Sequence, residues 1–155
     1  MATPEFITEI RALIGTMPLW LPGVTAVVVR GDETLLVRRA DTGEWTPVTG
    51  IIDPGEEPAV AGVREVLEEA DIVAAAVRLA WVHTIPMVTY GNGDQSQYLD
   101  HTFLMRYISG EPFPADGENT DARWFKLSAL PEMSENFQAR IRYALDDEPH
   151  ARFES

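Results

Sequence analysis

The 155-residue chain contains no cysteine. That excludes a disulfide scaffold, a thiolate zinc site and a cysteine nucleophile. Long apolar runs are missing too: the longest, residues 24–29 with Thr25 inside it, is too short to span a bilayer. The N-terminus has no basic stretch followed by an apolar one, as a secretory leader would. Positive charge is scarce, with 12 Lys and Arg against 25 Asp and Glu, a formal net charge of −13. Such a balance argues against nucleic acid held by counterion release and against an anionic membrane surface. A small phosphate-bearing ligand stays compatible, because a bound divalent cation reverses the local sign. The expectation is one soluble cytoplasmic domain over residues 1–155, with neither nucleic acid nor membrane as partner.

What is present reads as strands mixed with a few helices. Thr3 and Pro4 suit an N-cap and first helical position. Phe6, Ile7, Ile10, Leu13 and Ile14 then mark an apolar face, and Gly15 stops the helix. This gives an N-terminal helical extension over residues 1–20. Pro18, Pro22 and Gly23 break the chain before VTAVVVR. Gly31-Asp32 turns that run into TLLVRR, which predicts a β-hairpin over residues 24–39. Residues 77–89 and 97–107 read as two longer strands around the turn-rich GNGDQS, and ARWF (residues 122–125) as another. Residues 134–145 form a helix with Phe137, Ile141 and Leu145 inward. Together these elements predict an α/β sandwich around a mixed sheet.

The densest chemistry lies in residues 50–72, GIIDPGEEPAVAGVREVLEEADI. Pro58 suits the start of a helix. At about 100° per residue, Ala59, Val63, Val66, Leu67 and Ala70 share one side, and Glu65, Glu68 and Glu69 crowd the opposite one. Like charges at such spacings destabilise a bare helix by roughly 0.2–0.5 kcal/mol per pair. A hard divalent cation removes that penalty, and Mg²⁺ commonly joins carboxylates to substrate phosphates. The plainer reading is a solvated acidic face. The approach to the helix favours the first: Gly50 and Gly55 flank Asp53-Pro54, a constrained loop able to bring carbonyls close to a metal. Glu56 can accept from free N–H groups or from Arg64, which can equally pair with Glu68 one turn on.

Gly50, Glu56 and then Arg64-Glu65-Val66-Leu67-Glu68-Glu69-Ala70-Asp71-Ile72 stand at the spacing of a known signature. The stretch resembles the box of the Nudix hydrolases, and the likeness extends over most of residues 24–130. Asp71 replaces the signature's last glycine, a position wanting a left-handed backbone, which Asp tolerates. Val48-Thr49-Gly50 stands where the family commonly has Pro-Gly-Gly.

The resemblance implies a Nudix-type α/β/α sandwich with a central mixed β-sheet, related to MutT. It also implies hydrolysis of a nucleoside diphosphate linked to another group. Mg²⁺ or Mn²⁺ would be held by Gly50, Glu65, Glu68 and Glu69. Glu68 and Glu118 are candidates for the base, Glu65 and Arg64 complete the catalytic set, and Glu56 and Arg64 brace loop and helix. Arg39 and Tyr90 are candidates for substrate contact. Trp45, Trp124, His83 and His101 are expected to serve packing. A MutT-like nucleoside triphosphate pyrophosphatase and a non-hydrolysing nucleotide sensor are the alternatives. The apolar face of residues 6–14 allows a homodimer.

Overall fold

The computed structural model describes residues 3–155. Three helices, α1 (Glu5–Ile14), α2 (Pro58–Ala70) and α3 (Glu135–Leu145), accompany nine strands. The strands are β1 (Leu19–Arg30), β2 (Glu33–Arg39), β3 (Trp45–Thr46), β4 (Val48–Ile51), β5 (Val73–Thr84), β6 (Val88–Thr89), β7 (Gln95–Ser109), β8 (Asn119–Lys126) and β9 (Arg152–Phe153). They form a mixed sheet in the order β3-β2-β1-β7-β5-β9, with β4 on β1, β6 on β7 and β8 on β2. β1 runs parallel to β7, and β9 parallel to β5; the other pairs are antiparallel.

Two apolar layers follow from the period of two in the strands. Val24, Ala26 and Val28 of β1 join Leu35, Val66, Ile72 and Met105 in a cluster under α2. Val27 and Leu36 point the other way and meet Ile141 and Ala144 of α3. The sheet therefore lies between α2 and α3, as the sequence pattern predicts. On the α3 side a buried polar network crosses the layer. Asp100 accepts from Thr25 Oγ1 and Thr102 Oγ1, each at 2.7 Å, and Arg140 Nη1 donates to Thr25 Oγ1 at 2.8 Å. Arg140 Nη1 stands 3.7 Å from Asp100 Oδ1, so one buried charge compensates the other. His83 stacks on Trp81 with ring centroids 3.4 Å apart. Burial there pushes its imidazole down to about 4, which keeps it neutral.

Several local expectations need correction. Pro4, not Thr3, takes the N-cap position of α1, with an extended backbone and a carbonyl that accepts from Ile7 N and Thr8 N. Only Ile7 of that helix is buried, and Leu13 is 87% exposed. Leu67 of α2 also faces out, at 48% exposure, because the buried face of the helix runs through Ala61, Gly62, Glu65, Val66, Glu69 and Ala70, so Glu65 and Glu69 lie on it rather than opposite it. Leu145 is partly exposed at the edge of α3. The expected strand over residues 77–89 begins earlier, at Val73, and breaks after Thr84. Its alanine-rich start favours helix locally, but pairing with β7 overrides that weak preference. Pro86, which has no N–H to give a ladder, sits in the break. β9 is absent from the sequence reading: two residues beyond α3 pair with Trp81 and Val82. Trp45 and Trp124 pack edge-on against Phe125 and Tyr107. Among the described residues, no helix is long and apolar enough to cross a membrane.

Candidate active site

The site is built from the two ends of α2 and the loops that meet them. Pro58 begins the helix, and Asp71 ends it in the left-handed region, φ 55° and ψ 32°, with its N–H returning to the Leu67 carbonyl. The entry loop is held by one guanidinium. Arg64 Nε and Nη2 donate to the two oxygens of Glu56, each at 2.8 Å, and Nη2 also reaches the Ile51 carbonyl at 3.2 Å. Glu56 in turn accepts from Asp53 N–H at 3.1 Å. The remaining nitrogen, Nη1, donates to Glu65 Oε1 at 2.9 Å and to Glu68 Oε2 at 3.2 Å. Loop, helix and two of the helical glutamates are thus locked by one planar fork, whose charge these contacts stabilise further.

Glu65 is 1% exposed, and its Oε2 is buried without a hydrogen-bond partner. Beneath it lies Gly50. A Cβ there would come within 2.1 Å of the Glu65 carboxyl carbon, so only glycine lets strand β4 approach so closely. Burial pushes the Glu65 carboxyl up to about 7 even though Arg64 opposes the shift. Glu69, one turn on, is pushed to about 8, first by burial and further by Glu65, Glu118 and Asp116; a hydrogen bond from Asn119 opposes this. Two carboxyls crowded out of water at this spacing are a frustrated arrangement for a protein alone.

The loop after β7 supplies the other wall. Its amides cap the free carbonyls at the helix end: Phe113 N–H donates to Ala70 O at 3.0 Å and Ala115 N–H to Glu69 O at 3.3 Å. That docking carries Asp116 and Glu118 to Glu69, with one oxygen of each of the three within 4.8 Å of the others. Glu118 N–H donates to Asp116 Oδ1, and Asn119 Nδ2 to Glu69 Oε2 at 2.9 Å. The donors are all oxygens, which suits a hard divalent cation. Glu65 and Glu69 are raised in pKa, the Glu65 Oε2 is buried without a partner, and Gly50 lets strand β4 lie against the same carboxyl. The residues present fit a metal.

Of the sequence candidates, Glu69 and Glu118 meet directly, Glu65 lies against Gly50, and Glu68 turns toward Arg64. Asp116 was missed, although it stands two residues before Glu118 in the same acidic loop. Arg39 does not point free into the cleft, because it forms a bidentate pair with Asp41 at 2.8 and 2.9 Å. Its cation also senses Glu69 and Tyr90. The Tyr90 hydroxyl bonds that of Tyr98. Burial and this bond push the Tyr90 phenol up, and Arg39 counters. A cleft of about 470 Å³ between Leu130 and Ile141 lies elsewhere, against α3.

The match to known proteins covers these elements. A family model for the NUDIX domain matches residues 20–146. A Pseudomonas aeruginosa protein named NAD-capped RNA hydrolase NudC is 33% identical over 122 residues, which are 75% of this chain and 40% of that protein. The protein of that name from Pseudomonas fluorescens is 30% identical over 131 residues, 81% of this chain and 43% of its own length. The chain thus spans less than half the length of these relatives. Among solved structures, a NUDIX hydrolase from Nitrosomonas europaea has a TM-score of 0.66 at 20% identity, covering 86% of this chain and 76% of that one. A MutT NUDIX hydrolase from Burkholderia pseudomallei has a TM-score of 0.63 at 25% identity, covering 81% and 98%. Box, acidic loop and strands β2 to β8 all fall inside the matched span, and the chain belongs to the Nudix hydrolase family.

Proposed function

We propose that this chain is a Mg²⁺- or Mn²⁺-dependent pyrophosphohydrolase that cleaves the diphosphate of a nucleoside diphosphate linked to another moiety. The observation that carries this reading is the convergence of Glu69, Asp116 and Glu118 from two segments, with Glu65 one turn before Glu69 and packed on Gly50. Glu65, Glu69, Asp116 and the Gly50 carbonyl would hold the cation, with Glu68 at the edge and Glu118 beside it. Bound there, it supplies charge neutralisation for the diphosphate and acidifies a water. Glu118 takes the proton of the attacking water. A new oxygen–phosphorus bond forms as the anhydride bond breaks, and both halves leave as phosphate monoesters. Arg39 meets a phosphate by exchanging Asp41 for it, a bidentate contact of the same kind. Arg64 and Glu56 orient the helix rather than touch the substrate.

The curated relatives are named for NAD-capped RNA, whose cap is a nucleoside diphosphate joined to a second nucleoside. A net charge of −13 disfavours a long polyanion, so a small linked dinucleotide or ADP-ribose suits this chain better. The test is a panel of NAD⁺, ADP-ribose and nucleoside triphosphates with Mg²⁺ or Mn²⁺ and product analysis. Two monophosphates from a linked diphosphate, as the fastest reaction, support the reading. Preferred release of pyrophosphate from triphosphates would move it to a MutT-like activity, and binding without turnover to a sensor.

A further inference from the structure

Strand β8 changes its alternation at one residue. Ala122 lies in the cluster under α2 and Trp124 packs against it, opposite Val37 and Leu35 of β2. Arg123 pairs with Leu36, which faces the α3 side. Strict alternation would send Thr120 toward α2 and Asn119 away from it. The ladder does otherwise. Arg38 pairs with Asp121 but Arg39 with Asn119, so Thr120 is the extra residue of a β-bulge. Thr120 is exposed, and its Oγ1 donates to the Arg38 carbonyl at 3.3 Å. Beyond the bulge, Ala40 N–H donates to the Glu118 carbonyl at 2.9 Å. Asn119 is thereby turned inward, where it is 7% exposed and its Nδ2 donates to Glu69 Oε2 at 2.9 Å.

Packing alone would accept an apolar residue at this point, as it does at Ala122 and Trp124 on the same face. A buried amide is costly to place unless it meets a partner, and the partner here is the carboxyl of Glu69, itself only 5% exposed. Carboxylates that ligate cations are themselves held by hydrogen bonds, which set their orientation. We infer that Asn119 is a positioning residue of the cation site: the bulge at Thr120 aims its amide at Glu69 and sets that carboxylate to face a divalent cation together with Glu65 and Asp116. The same contact ties the start of β8, next to Glu118, to α2. The inference rests on the reading of the acidic cluster as a cation site. It gives a residue outside the box a part in assembling it.

The test follows Mn²⁺ binding by electron paramagnetic resonance in wild type, N119A and N119L. Melting temperatures in a chelator and turnover of the best linked diphosphate of the panel are measured alongside. Leucine keeps the branched shape of asparagine without its donor, and N119A carries the comparison if the bulkier side chain does not fold. Both variants bind Mn²⁺ about tenfold more weakly than wild type, or worse, and remain folded in the chelator. Their turnover at limiting Mn²⁺ falls in step and recovers as Mn²⁺ is raised, a recovery that damage to the fold would not give. Variants that bind Mn²⁺ as tightly as wild type overturn the inference alone. So does weaker binding in variants that are already unfolded in the chelator, the mark of a merely structural role. A wild type that binds Mn²⁺ but hydrolyses nothing on the panel overturns the functional reading, while weaker Mn²⁺ binding in its variants still supports the role of Asn119. A wild type that binds no Mn²⁺ overturns both.

Discussion

Gly50 and Glu65 illustrate how single residues set this site. A methyl group on Gly50 would collide with the Glu65 carboxyl, which is itself fully buried and cannot swing away. Gly50→Ala therefore costs about 1–3 kcal/mol by overpacking and weakens cation binding; urea denaturation and a Mn²⁺ titration read the two effects. Glu118→Gln removes the proposed base and lowers kcat by roughly 10²–10⁴ in steady-state assays, with an unchanged melting temperature. At this scale the sequence was partly transparent. Glu65, Glu68 and Glu69 declare themselves by helical spacing, and Glu118 by its acidic loop. Asp116 does not, because its place beside Glu69 depends on two loop amides capping carbonyls at the helix end. The Arg39–Asp41 pair was hidden for a similar reason: a surface arginine looks the same whether or not a turn supplies its partner.

The element that concentrates the physics is α2. Arg64 joins it to the entry loop, so Arg64→Ala leaves Glu56 and Glu65 uncompensated and destabilises the fold by about 2–4 kcal/mol, discounted from a fully buried pair for partial exposure. Lysine recovers little of this, because it lacks the fork. Glu65 and Glu69 give the metal-free protein a distinct pH dependence. Both hold their protons more tightly folded, to about 7 and about 8, than at the ordinary 4.5 of the unfolded chain. Their contribution is thus present at low pH and is lost as pH rises from about 4.5 to about 8. The expected outcome of calorimetry in a chelator is a melting temperature that falls across that window. Added Mg²⁺ or Mn²⁺ reverses the fall, increasingly so toward pH 8, since the ligands must be deprotonated. The helix itself was legible from Pro58 and Asp71, but its buried face was not: Glu65 and Glu69 turn inward with Val66 and Ala70, and Leu67 turns out. Strand ends were not: the alanines opening β5 carry no strand preference, and only pairing with β7 extends them into the sheet.

Across the whole molecule, the sandwich was readable because the two strand faces alternate and one amphipathic helix lies on each side. The polar bond between its layers was not, since Thr25, Asp100 and Arg140 are far apart in the chain and each is unremarkable alone. Asp100→Ala strands a buried guanidinium and costs about 3–5 kcal/mol, measurable as a lower urea midpoint at an unchanged slope. The fold thus brings the acidic end of α2 and the 110–118 loop together, and the carboxylates there are the claim on which the rest depends. The most direct measurement is the rate of linked-diphosphate hydrolysis against Mg²⁺ concentration for wild type and Glu69→Gln. The account predicts saturable, strictly metal-dependent turnover in wild type and a loss of about a hundredfold or more in a folded variant. Turnover in a chelator, or a variant as fast as wild type, would contradict it.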